Sequence, residues 1–169
     1  MFFEGDESRF CLMLHELFNY DPEKGVLVWA VKRKGTNGVG SVAGYVNKLK
    51  DSRRFVMING KLYPHARLVF LYHYGSIGSL VVDHIDNDPT NDKIENLRAV
   101  TVAQNNVNKH SKLVYDNSNG TYSVKMRVNK NFKHLATFKC LRHATSFAQS
   151  YHVRLHGEFS PFAGGVSHV

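Results

Sequence analysis

The sequence holds only two cysteines, Cys11 and Cys140, and they form no C-x-x-C pair. That scarcity excludes a disulfide framework and a cysteine zinc site, and points to a reducing interior. Long apolar runs are also missing. No stretch approaches the roughly 18 uninterrupted apolar residues that a membrane span needs. The N-terminus, MFFEGDESRF, carries acidic residues where a secretory signal carries basic ones followed by an apolar run, so no export signal is expected and the protein reads as cytoplasmic. Acidic charge is in short supply overall, with 14 Asp and Glu against 22 Lys and Arg, a balance of +8 that suits a polyanionic partner. What is present is ordinary for a folded protein: 169 residues, 43% hydrophobic and 21% charged, enough for one standard domain or two small ones.

The charge is unevenly spread. Residues 1–59 carry +2, residues 60–110 carry 0 and residues 111–169 carry +6, while the acidic side chains of the middle third gather at Asp83, Asp86, Asp88, Asp92 and Glu95. The contrast suggests a cation-attracting centre followed by a polyanion-attracting tail. Apolar periodicity predicts a helix over Glu7–Tyr20, a strand over Val26–Val31, and a hairpin joining Phe55–Ile58 to Lys61–Tyr63 through Asn59-Gly60. A helix is expected over His65–Tyr74, stopped at Gly75, and a short strand at Leu80–Val82 leads into Asp83-His84. Turn-like text fills Ile85–Asn96, and Thr101 is placed to cap a helix running to His110. Beyond it come a weak strand near Leu113–Tyr115, an alternating strand at Tyr122–Val128, another at Phe132–Phe138, and a helix over Leu141–His156.

The segment VVDHIDNDPTNDKIENLRAVTVAQNNVNKH, residues 81–110, concentrates the chemistry. Metal-assisted phosphodiester hydrolysis needs a base for water, a group that orients it, and hard oxygen ligands for a divalent cation. His84 supplies an imidazole, the side-chain type that most often serves as general base. Asn96 is the neutral group available to orient it, and Asp83 with Asn105 can hold Mg²⁺ or Mn²⁺. Neighbouring strand residues face opposite ways, so a strand end or bulge must bring Asp83 and His84 to one centre. Asp86, Asp88 and Asp92 read as turn formers.

The words VDHID, N-x-x-x-x-NLR at Asn91–Arg98 and VT-x-x-x-N-x-x-N at Val100–Asn108 resemble the HNH endonucleases of the His-Me finger (ββα-metal) superfamily, in the phage homing branch where Asn replaces the last His. LFNYDPEKGVLVW, residues 17–29, and NGKLYPHARLVFLYHYG, residues 59–75, are similar to the leader those proteins carry. The resemblance implies that His84 activates water, Asp83 and Asn105 ligate the metal, Asn96 braces the motif, and Arg98 contacts DNA. His65-Ala66-Arg67 departs from the family's adjacent His-Arg, so no role is carried onto His65 or Arg67. The zinc-binding cysteines of some relatives are missing, and no structural zinc is expected.

In the tail, Val124, Met126 and Val128 share one strand face, suited to pack on Phe147, Ala148 and Tyr151, and leave Lys125 and Arg127 outward. With Lys130, Lys133 and His134 alongside, that face can neutralise phosphates and reach base edges. Residues 120–159 are similar to the AP2/ERF DNA-binding domain found in phage endonucleases, which implies a sheet in the major groove and Tyr122, Lys125, Arg127, Lys133 and His134 as contacts. A basic Gly-rich segment, Lys32–Gly44, is either a further backbone contact or a mobile loop.

The expectation is therefore an α+β chain: an HNH nuclease module over residues 1–110, of ββα-metal architecture, then an AP2-like sheet-plus-helix module over 111–169. It would hydrolyse double-stranded DNA with Mg²⁺ or Mn²⁺, as a monomer or homodimer in the cytoplasm, the host's if phage-encoded. One site per chain cuts one strand. The rivals are a non-catalytic DNA-binding regulator that keeps the HNH fold as scaffold, and a nuclease directed at RNA.

Overall fold

The structure is a computed structural model that describes residues 4–48, 52–108, 111–128 and 131–163. They divide between Asn105 and Asn106 into two compact units. The division falls inside the helix Val102–Asn108, a few residues ahead of the boundary expected at residue 110. No helix among the described residues is long and apolar enough to cross a membrane.

The first unit opens with helix α1 (Glu4–Leu17), which ends three residues before the expected stop because Phe18–Asp21 becomes strand β1. Helical spacing and strand pairing both bury Phe18, and pairing wins: β1 runs antiparallel to β2 (Val26–Trp29), with Phe18 opposite Trp29 and Asp21 opposite Val26. The turn between them needs Gly25, whose φ is +66° and where a Cβ would stand 2.7 Å from the backbone nitrogen of Lys93. A second sheet has the order β3 (Tyr45–Val46), β4 (Arg54–Ile58), β5 (Lys61–Pro64). Its β4–β5 turn has Asn59 and Gly60 at φ 49° and 77°, the two left-handed residues that the Asn-Gly pair predicts. Gly44, at φ +81°, lets β3 begin against Phe55, since a Cβ there would overlap the Phe55 carbonyl oxygen.

Helix α2 (His65–Tyr74) follows β5 directly and closes on Gly75, whose amide donates to the Leu71 carbonyl at 2.9 Å. Its buried face, Leu68, Val69, Phe70 and Leu71, joins Leu14, Phe18, Leu27, Val56, Ile58 and Leu97 in one core. Glu7 ties α1 to the chain after α2: one carboxylate oxygen accepts from the Ser76 hydroxyl at 2.7 Å and from the Ile77 and Gly78 amides at 3.1 and 3.2 Å. The last three elements are β6 (Val81–His84), β7 (Leu97–Val100) and α3 (Val102–Asn108). β6 and β7 pair antiparallel, with Asp83 opposite Arg98 and His84 opposite Leu97. β7 carries the NLR text and was not expected as a strand. At α3 the Thr101 hydroxyl accepts from the Gln104 amide at 3.2 Å while the Gln104 carboxamide oxygen accepts from the Thr101 amide at 2.8 Å, a reciprocal capping box.

The second unit is a three-stranded antiparallel sheet, order β8 (Val114–Asp116), β9 (Tyr122–Val128), β10 (Asn131–Phe138), followed by helix α4 (Leu141–His156). Its core is Leu113, Val124, Met126, Ala144 and Ala148. The alternation of β9 thus faces as its sequence predicts, except that Phe147 is 36% exposed and stacks on Phe138 and Tyr151, leaving Ala144 to meet the sheet. α4 ends at Gly157, φ +57°.

Candidate active site

Asp83 and His84 are the last two residues of β6, and no bulge interrupts its pairing with β7. Both nevertheless border one cavity of about 230 Å³, because the strand ends there. Asn105 of α3, Asp92 and His65 border it too, as do Arg53, Arg54 and Arg67. The volume is below the roughly 300–1,000 Å³ of a pocket that encloses a small molecule. A notch of this size with three arginines in its lining, one of them Arg67 paired with Glu7 at 3.6 Å, suits one phosphodiester of a polymer.

The imidazole of His84 is held by Asp92. His84 Nε2 lies 2.8 Å from Asp92 Oδ1, and the other carboxylate oxygen, Oδ2, lies 2.6 Å from Nδ1 of His65. His65 is fully buried, and its Nε2 accepts the backbone amide of Leu27 at 2.9 Å. An amide can only donate, so the neutral His65 ring carries its proton on Nδ1 and gives that bond to Asp92. Asp92 is 4% exposed; burial pushes its carboxyl upward, but the lowering contributions, the hydrogen bonds from His65 and His84 foremost, outweigh burial and hold it below the ordinary carboxylate range. As a carboxylate it only accepts, which fixes the His84 proton on Nε2 and makes Nδ1 the basic atom.

Three expectations need correction here. Asn96 does not orient the imidazole. Its carboxamide oxygen accepts the Asp86 amide at 3.1 Å, and its nitrogen donates to Asp86 Oδ1 at 2.9 Å and to the Asn91 carbonyl at 2.8 Å. Those bonds use the side chain to clamp the loop 86–91 that follows His84. Asp92 is not a turn former, unlike Asp88, whose carboxylate takes the Thr90 amide at 2.9 Å and hydroxyl at 2.7 Å. His65, to which no role was carried, is the buried inner member of the His84 support. Neither His65 nor Asp92 has a local signature, since they are 27 residues apart in the chain.

Arg98, expected on the DNA, is half-buried and donates from Nε to Asp83 Oδ2 at 3.1 Å. It faces Asp83 across the β6–β7 register and steadies that carboxylate. Among the described residues no group of three or more His, Cys, Asp and Glu is arranged to hold a metal. The pair that does share the cavity, Asp83 and Asn105, offers two hard oxygen donors of different kind, a sparse protein contribution of the sort a divalent cation takes when water and phosphate complete its shell.

In the second unit Lys125, Arg127, Lys133 and His134 are exposed and Tyr122 is half-buried. Lys125 pairs with His134 across the sheet, and Arg127 with Phe132, which is 70% exposed. The Lys125 ammonium also lies 5.4 Å from the Tyr115 ring centre, and His134 Nε2 is 2.8 Å from the Thr137 hydroxyl. Lys130 lies outside the described residues.

Residues 63–107 match the family model for HNH endonucleases. The match runs from β5 to α3 and contains His65, Asp83, His84, Asp92, Asn96 and Asn105. It supports a nuclease. No curated protein and no solved structure matches the chain.

Proposed function

We propose that the chain is a metal-dependent DNA endonuclease of the HNH, ββα-metal kind, joined to an AP2-like DNA reader as in phage homing endonucleases. The observation that carries the reading is the bond series Leu27 amide, His65, Asp92, His84, which ends on a basic nitrogen beside Asp83, Asn105 and three arginines lining the same cavity. His84 Nδ1 takes a proton from water, and the hydroxide attacks phosphorus in line with the departing 3′-oxygen. Asp92, kept anionic by its own neighbours, stabilises the imidazolium that forms and holds its plane. Arg53, Arg54 and Arg67 oppose the charge that builds on the phosphoryl oxygens. A divalent ion held by Asp83 and Asn105 would supply Lewis-acid stabilisation of the phosphate and leaving oxygen. The basic face of β9 and β10 would hold the duplex.

One observation favours the rival reading of a DNA-binding scaffold without turnover: Arg98 already neutralises Asp83. Supercoiled plasmid with Mg²⁺ or Mn²⁺ separates the two. The nuclease reading expects nicked or linear product from the native protein, at least ~10³-fold less from His84→Ala, and retained duplex binding by that variant. Absence of product from both proteins in either metal overturns it.

A further inference from the structure

A larger cavity, about 520 Å³, opens in the same unit, with Trp29, Arg33, Lys34, Tyr45, Met57 and Asn59 among its walls. No carboxylate lines it among the described residues. Arg33 lies over the Trp29 indole, 5.1 Å from guanidinium carbon to ring centre, and Trp29 is backed by Phe18 at 4.5 Å. Guanidinium nitrogen Nη1 of Arg33 is buried with no hydrogen-bond partner among the described residues, an unfavourable state that an arriving anionic oxygen would offset after a small shift of the side chain.

The loop bearing these cations is anchored. The Thr36 hydroxyl donates to the Arg33 carbonyl at 2.9 Å, the Gly40 amide to the Trp29 carbonyl at 2.8 Å, and the Trp29 amide to the Ser41 carbonyl at 2.9 Å. The backbone that carries Arg33 and Lys34 is therefore ordered before binding, and only their side chains are left to settle.

Strand β4 connects this cavity to the one at His84. Val56 and Ile58 are buried on its core side, whereas Met57 is 59% exposed on the other. Arg53, just ahead of the strand, has the parity of Met57 and borders the His84 cavity; Met57 borders the second. Four residues of extended chain span about 13 Å. B-DNA advances about 3.4 Å per base pair along its axis, so Arg53 and Met57, one at each cavity, are spaced like axial positions about four base pairs apart on a duplex that runs along β4.

We propose that this second cavity docks the sugar–phosphate backbone of the duplex that flanks the cleaved bond, with Arg33 and Lys34 on the phosphate and Tyr45 and Met57 against the adjoining sugar. The assignment rests on the nuclease reading of the His84 cavity for its register, about four base pairs from the cut. It makes the first unit a reader of position as well as a cutter.

Trp29 is the single tryptophan of the chain, so its emission reports occupancy directly. A random-sequence duplex is titrated into full-length His84→Ala protein, which removes cleavage from the measurement. A saturable change in Trp29 emission is expected, and the slope of log K against log salt should fall by about 1 for Lys34→Ala and by about 2 for Arg33→Ala with Lys34→Ala. Lys34 is exposed, so its variant keeps the test valid if loss of Arg33 disturbs the fold. Unchanged emission at saturating duplex, an unchanged slope in both variants, or the same emission change with inorganic phosphate alone overturns the site. Plasmid cleavage by protein with His84 intact is scored separately. Cleavage without these responses removes only the docking site; these responses without cleavage overturn the nuclease reading and its register, and leave a DNA-binding cavity.

Discussion

At the scale of single residues, Asp92 decides what His84 can do. Replacing it with Asn exchanges an acceptor for a group whose amide can donate to His84 Nε2, which moves the ring proton to Nδ1 and removes the base. Asp92→Asn should lower single-turnover plasmid cleavage by about 10²–10⁴-fold while duplex affinity stays level. Cleavage at the native rate would show that Asp92 does not set the tautomer. Asp83, His84 and Asn105 stand out in the sequence because their side chains are chemically distinctive and sit within residues 83–105, and the fold brings the three to one cavity. Asp92 was not, because in sequence it looks like its neighbours Asp86 and Asp88. Only the fold, by setting it between His65 and His84, separates a buried acceptor from a turn residue. Asn96 differs in the opposite sense: its neutral carboxamide suggested a hydrogen bond to the imidazole, and its bonds go to Asp86 and Asn91 instead.

Among elements, α4 carries a titration that acts on stability. Burial, with a smaller contribution from the charge of His156, lowers the His152 pKa to about 4. The ring bonds through Nδ1 to the Ser160 hydroxyl at 2.8 Å, with His156 and Phe162 against it at 4.5 and 5.5 Å between ring centres. Folded His152 stays neutral where the unfolded chain takes up a proton, so stability is full above about pH 6.5 and falls as pH drops toward 4. Urea unfolding at pH 7 and pH 5 should differ by roughly 1–2 kcal/mol more in the native protein than in His152→Leu. An identical difference in both would remove His152 as the cause. The elements themselves were unequally readable. The Asn59-Gly60 hairpin, α2 and α4 follow from turn chemistry and periodicity, and α4 has the expected bounds. β1, β3 and β7 did not, since two to four residues show no usable period and exist through partners distant in sequence.

For the whole molecule, the excess charge of the last third lies partly on the open face of β9 and β10, apart from the core side of Val124 and Met126. Removing Lys125 and Arg127 together should lower the slope of log K against log salt by about 2 and weaken binding to all sequences, measured by duplex titration across salt. A slope equal to that of the native protein would place the duplex elsewhere. The bond series behind His84 has its own molecular consequence, because it begins at Leu27 and passes through residues 65 and 92. Its far end is a backbone amide whose escape to solvent requires β2 and α2 to part. Deuterium uptake at Leu27 should therefore be among the slowest in the chain and keep pace with thermal loss of the His84 site, so that one proton, remote in sequence from His84, records whether that site is assembled.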